Sequence, residues 1–201
     1  MKSTLQRLCL LAPLALLLTG CDGDDAVSIR IRLREDGAGT LTSSGILIPA
    51  DPSRVEAGTR GVDYENRVQM SAAIGRFTAL SGVTVSDIGF SSGEGEGGFR
   101  FVKVTIPQGA AALWPDVFVP MDETARLKAA GALDPSGKSK DVGATIKIEI
   151  ELPAPVIGNG VTGKVRGTKA SVEGSTATLV VPVVAARGAP EPLVWHLTWQ
   201  K

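Results

Sequence analysis

The chain has 201 residues, of which 43% are apolar and 21% charged, enough to build a hydrophobic core and too apolar for wholesale disorder. Glycine (24) and proline (12) together make 36 of 201, a proportion that suits strands and turns better than a helical bundle. Lys plus Arg (21) balance Asp plus Glu (21); loss of a leader carrying Lys2 and Arg7 leaves 19 against 21, a net of −2 that excludes an electrostatic case for nucleic-acid binding.

Residues 1–20 read as a lipoprotein signal peptide. Lys2 and Arg7 form a positive n-region, and Leu8–Leu18 is an apolar run of secretory length, too short to span about 30 Å of hydrocarbon. The run ends in Leu18-Thr-Gly-Cys21, which resembles the bacterial lipobox, so cleavage between Gly20 and Cys21 is expected, with Cys21 acylated. An ordinary signal peptide followed by a chance cysteine is the alternative. Cys9 leaves with the leader, so the mature chain has no free thiol and no disulfide and must hold together by packing. Several acyl chains on one residue exceed the marginal hold of one. Residues 21–26, the acylated cysteine and an acidic tether (Asp22, Asp24, Asp25), lead into one expected domain, 27–201. Aspartate directly after the cysteine resembles the inner-membrane retention signal of some Gram-negative bacteria. The implied place is the outer face of a bacterial cell membrane, with membrane lipid as the partner of Cys21.

Val27, Ile29, Ile31 and Leu33 alternate with Ser28, Arg30, Arg32 and Arg34, the period-two pattern of a strand with one buried face. Glu35-Asp-Gly-Ala-Gly39 is turn chemistry, and Thr40–Ile48 returns as a strand. After a loop over Asp51–Gly61, Asp63 caps an expected helix from Tyr64 to Ala79, with Met70, Ala73, Ile74, Phe77 and Leu80 at helical spacing and Gly82 as the stop. Val83–Phe90 and Phe99–Ile106 read as strands joined by a glycine-rich tip. Asp122–Ala130 reads as a short second helix, and Asp134–Gly143 as a polar unstructured stretch. Ala144–Leu152 alternates cleanly; Pro153–Gly160 breaks the pattern; weaker strand runs follow at Val161–Val172 and Thr176–Val184. A last strand carries Leu193, Trp195, Leu197 and Trp199 on one face. The expected fold is α+β: an antiparallel sheet of about 8 strands with one main helix and one short helix packed on it.

The lipobox, the first strand with its Asp36-Gly-Ala-Gly39 turn, and Leu152-Pro-Ala-Pro-Val-Ile-Gly-Asn-Gly160 followed by Val172-Glu-Gly174 together resemble the LppM-type bacterial lipoprotein domain. The resemblance departs from that family at Ala154, where glycine is expected, at Leu179, where tryptophan is common, and in the C-terminal transmembrane helix of many members. It implies a lipid-anchored, mostly β domain outside the cytoplasm, with no catalytic residues to carry over.

Few residues carry chemistry. His196 is the one histidine, so a two-histidine zinc site is impossible, and no GxSxG elbow supplies a nucleophile for it to activate. Gly137-Lys-Ser139 lacks the spacing and context of a phosphate-binding loop, and Asp22-Gly-Asp-Asp25 lacks that of a calcium loop. No cofactor or metal is expected. Glu149 and Glu151 share a strand face about 6–7 Å apart, a spacing compatible with a glycosidase pair, although a solvated face neutralised by Arg30, Arg32 and Arg34 explains it more simply. Two features are candidate contacts for an envelope lipid, glycan or protein: the stripe of Arg30, Arg32 and Arg34, and the aromatic segment Leu113-Trp-Pro-Asp-Val-Phe-Val-Pro120 with Trp114 and Phe118. That segment is read either as a loop folded into the core or as the lip of an apolar pocket. The expected role is non-catalytic binding or structure, with a hydrophobic-ligand carrier or a carboxylate hydrolase as alternatives.

Overall fold

The protein, a computed structural model, is described over residues 25–45, 59–61, 63–69, 72–109, 112, 114 and 145–200. Its strands in chain order are β1 Asp25–Leu33, β2 Gly39–Gly45, β3 Thr59–Arg60, β4 Asp63–Gln69, β5 Ala72–Phe77, β6 Thr84–Val85, β7 Ile88–Glu94, β8 Phe99–Ile106, β9 Thr145–Glu151, β10 Val156–Thr162, β11 Lys169–Glu173, β12 Thr176–Pro182 and β13 Leu193–Gln200. A five-residue helix, α1 (Val183–Arg187), follows β12. These strands form two sheets, one of seven in the order β11-β12-β9-β1-β2-β5-β4 and one of six in the order β10-β13-β8-β7-β6-β3.

The inward faces of both sheets feed one hydrophobic cluster. Val27, Ile29, Ile31, Ile146, Ile148, Ile150, Leu179 and Val181 come from the first sheet, and Val102, Val104, Ile106, Leu193, Trp195, Leu197 and Trp199 from the second. Strict alternation produces this arrangement: β9 and β13 bury every second residue along their whole length. Each fully buried Ile or Leu contributes about 1.5–3 kcal/mol of apolar transfer. Trp195 keeps its polar atom satisfied, donating from Nε1 to Asn159 Oδ1 at 2.8 Å.

This architecture corrects the expected α+β fold. The main helix over Tyr64–Ala79 is absent; that stretch is the hairpin β4–β5, whose second strand pairs with β2. Helical spacing places Ile74 and Phe77 on one face, but an odd separation in a strand puts them on opposite faces. Phe77 is accordingly buried and Ile74 is 41% exposed. The Phe77 ring lies over Gly39, its register partner, where an added Cβ would come within 2.7 Å of the ring and closer still to the Arg32 carbonyl.

The sheet is mixed, because β1 pairs antiparallel with β2 but parallel with β9. Val83–Phe90 is not one strand: Ser86 and Asp87 both have positive φ and form a two-residue hairpin turn between β6 and β7. The stretch Pro153–Gly160 holds the start of β10, with Asn159 and Gly160 in register with Leu197 and His196 rather than in a turn. The second expected helix (Asp122–Ala130) and the polar stretch 134–143 lie outside the described residues.

Candidate functional site

The outer face of the seven-stranded sheet carries the charged residues singled out in the sequence. Parallel pairing of β1 with β9 sets Arg30 beside Glu149 and Arg32 beside Glu151. Arg30 reaches both carboxylate oxygens of Glu149, at 2.8 and 3.4 Å, and Arg32 Nε reaches Glu151 Oε2 at 2.7 Å. Arg34, past the end of β1, instead donates through Nε and Nη2 to both oxygens of Asp36, at 3.2 and 2.8 Å. Every guanidinium of the stripe therefore has a carboxylate partner. These pairs are solvated, and pairs of this kind are each worth about 0.2–1 kcal/mol.

Asp36 also closes the β1–β2 turn. Its Oδ1 accepts the Ala38 backbone N–H at 3.0 Å, while Gly37 takes the positive φ that the reversal requires. The hydrogen bond from Arg34, then the bond from Ala38, holds the Asp36 carboxyl below its ordinary range. Arg100 reaches from β8 to pair with Glu94 at 2.9 Å and donates to the Glu35 carbonyl, joining this turn to the β7–β8 tip of the other sheet.

A shallow depression of about 480 Å³ adjoins this ladder, lined by Glu149, Ser171, Val172, Glu173, Thr176 and Thr178. The sequence reading did not single it out. Its signal is the outward alternation of Thr176 and Thr178, which becomes a floor only when β12 lies between β9 and β11.

Trp114 belongs to the core. It is fully buried, its Nε1 donates to the Pro107 carbonyl at 2.9 Å, and its backbone N–H donates to Asp87 Oδ1 at 3.1 Å. Asp87 thus fastens Trp114 to the β6–β7 turn. Phe118 lies outside the described residues, as do Gly20 and Cys21. His196 is exposed on β13, opposite Lys103 and Gly160. Among the described residues no group of His, Cys, Asp and Glu is placed to hold a metal ion, and no helix is long and apolar enough to cross a membrane.

No protein-family model matches the chain, and no curated protein matches it in sequence. Among solved structures, the chain is similar to the NMR structure of the folded domain of LppM from Mycobacterium tuberculosis, at 10% identity and a TM-score of 0.39, over 89% of this chain and 92% of that one.

Proposed function

We propose that the protein is a bacterial envelope lipoprotein, held to the outer face of a cell membrane through acylated Cys21, whose β-sandwich is a non-catalytic binding or structural module. The lipobox carries the reading: a positive n-region, an apolar run of secretory length, small residues and a cysteine stand in order, with three residues between the cysteine and β1. The geometry of Glu149 and Glu151 supports the non-catalytic part. Both are engaged in a ladder of ion pairs with Arg30 and Arg32 on the outer sheet face, the arrangement of a neutralised structural face. The burial of Trp114 supports a core role for the start of the aromatic segment rather than a pocket lip. The test is metabolic labelling. The wild type should incorporate labelled palmitate and fractionate with membranes. Cys21→Ser should incorporate none, because a hydroxyl cannot form the thioether. Normal labelling and maturation of that variant would refute the anchor.

A further inference from the structure

The strand directions determine which end of the sandwich lies next to the lipid. β1 begins at Asp25, beside Thr145, and Thr145 is also the register partner of Pro182. Helix α1 follows directly, and the connection from β10 to β11 crosses the same end: Gly163 packs against Pro192 and Leu193, and Gly167 against Pro182. This end therefore gathers Lys164, Arg166, Lys169 and Arg187, all exposed. It also presents Val184, which is 84% exposed while its helix neighbours Val183 and Ala186 are buried.

The opposite end holds the β1–β2 turn, the β7–β8 tip and the β11–β12 turn, the first two tied by the Arg100 bond to Glu35. Among the described side chains Glu35, Asp36, Glu94, Glu96, Glu151 and Glu173 stand there against Arg32, Arg34, Arg76 and Arg100, six acids to four bases. At the α1 end the described bases are Lys147, Lys164, Arg166, Lys169 and Arg187 and the described acids Asp87 and Glu191; Asp22, Asp24 and Asp25 of the adjoining sequence bring the tally level. The charge contrast along the sandwich is thus a surplus of acid at the far end.

We infer that the α1 end is a membrane-resting surface. On an anionic bilayer Val184 sits among the headgroups, Lys164, Arg166 and Lys169 lie against lipid phosphates, and the acidic end points away. The inference rests on the proposed anchor at Cys21. From Cys21 to Asp25 a fully extended chain reaches at most about 14 Å, so the α1 end cannot swing far from the surface. Arg30 and Arg34 stand about 16 and 30 Å further along β1. Both distances exceed a Debye length of about 8 Å, which places the arginine stripe beyond the headgroup field.

The acylated full-length chain tests this in vesicles of phosphatidylcholine with roughly one-quarter phosphatidylglycerol, an anionic surface of ordinary charge density. The mature chain has no other thiol, so Val184→Cys and Glu96→Cys each take one fluorophore, and a headgroup spin-labelled lipid is the quencher. Quenching several-fold stronger at position 184 than at 96 is expected. Each cation near the surface contributes about fivefold in surface partition, so Lys164→Glu/Arg166→Glu/Lys169→Glu should largely abolish the difference while the protein still floats with the vesicles. Equal quenching at both positions in floating protein, or a triple variant that quenches like the parent, would overturn the surface while sparing the anchor. Protein that fails to float would overturn the anchor, and this surface with it.

Discussion

At the scale of single residues, the charged face of the seven-stranded sheet follows from register. Arg32 and Glu151 meet because β1 and β9 run parallel with Ile31 opposite Ile150. Both side chains are substantially exposed, at 67% and 42%. A double-mutant cycle on Arg32→Ala and Glu151→Ala should therefore return a coupling of about 0.2–1 kcal/mol that shrinks with added salt. A coupling above this range that persists in high salt would indicate a desolvated pair. Asp36 gives the pH signature. Its folded pKa is lowered, so its contribution is complete above the ordinary aspartate value of about 3.9 and is lost as pH falls through the lowered folded value. Asp36→Asn should thus be less stable than the parent at pH 7, and the two should converge in strong acid. Denaturant midpoints measured across that range check it; an unchanged gap at low pH would remove Asp36 from the account.

Elements come next. The β4–β5 hairpin occupies a stretch whose apolar spacing and alanines favour a helix locally. The backbone groups that a helix would satisfy within itself are satisfied here by β2, and Phe77 reaches the core only in that pairing. Phe77→Ala should cost about 3–5 kcal/mol, read as a shift in unfolding midpoint, whereas Ile74→Ala, at an exposed position, should cost under about 1 kcal/mol. Equal costs would restore the helical stripe. Gly39 tests the same junction from the other side. A Cβ there meets the Arg32 backbone carbonyl, which cannot swing aside as a flexible side chain can, so Gly39→Ala should destabilise by about 1–3 kcal/mol. A neutral substitution would show that the close approach of β1, β2 and Phe77 has slack.

For the whole molecule, the proposed anchor and the fold are separable by mutation. Cys21 precedes the first strand, and the core draws on residues from Val27 onward. Cys21→Ser should therefore lose the acyl chains while keeping the parent's strand-dominated far-ultraviolet circular dichroism and its unfolding midpoint. A variant that loses both label and midpoint would mean that the leader or tether contributes to the fold.

Local pattern alone determined a good part of this protein. The lipobox-like run on which the proposed anchor rests is a linear pattern, legible without any fold. β1, β9 and β13 are legible because a half-buried strand writes its two faces into successive residues, as Trp195, Leu197 and Trp199 do against His196, Thr198 and Gln200. The turn at Asp36 and Gly37 is legible because its hydrogen bonds and its positive φ belong to residues adjacent in the chain. Tertiary structure alone decided the rest. Alternation has no direction, so nothing in β1 or β9 states that they run parallel; that comes from pairing across 119 residues. The segment at Ala72–Phe77 is ambiguous in isolation, and the open edge of β2 makes it a strand by taking its hydrogen bonds. The same assembly sends Trp114 into the core and gathers Lys164, Lys169 and Val184 at the end where β1 begins. Those residues share no local period, and only the packing of two sheets makes them neighbours.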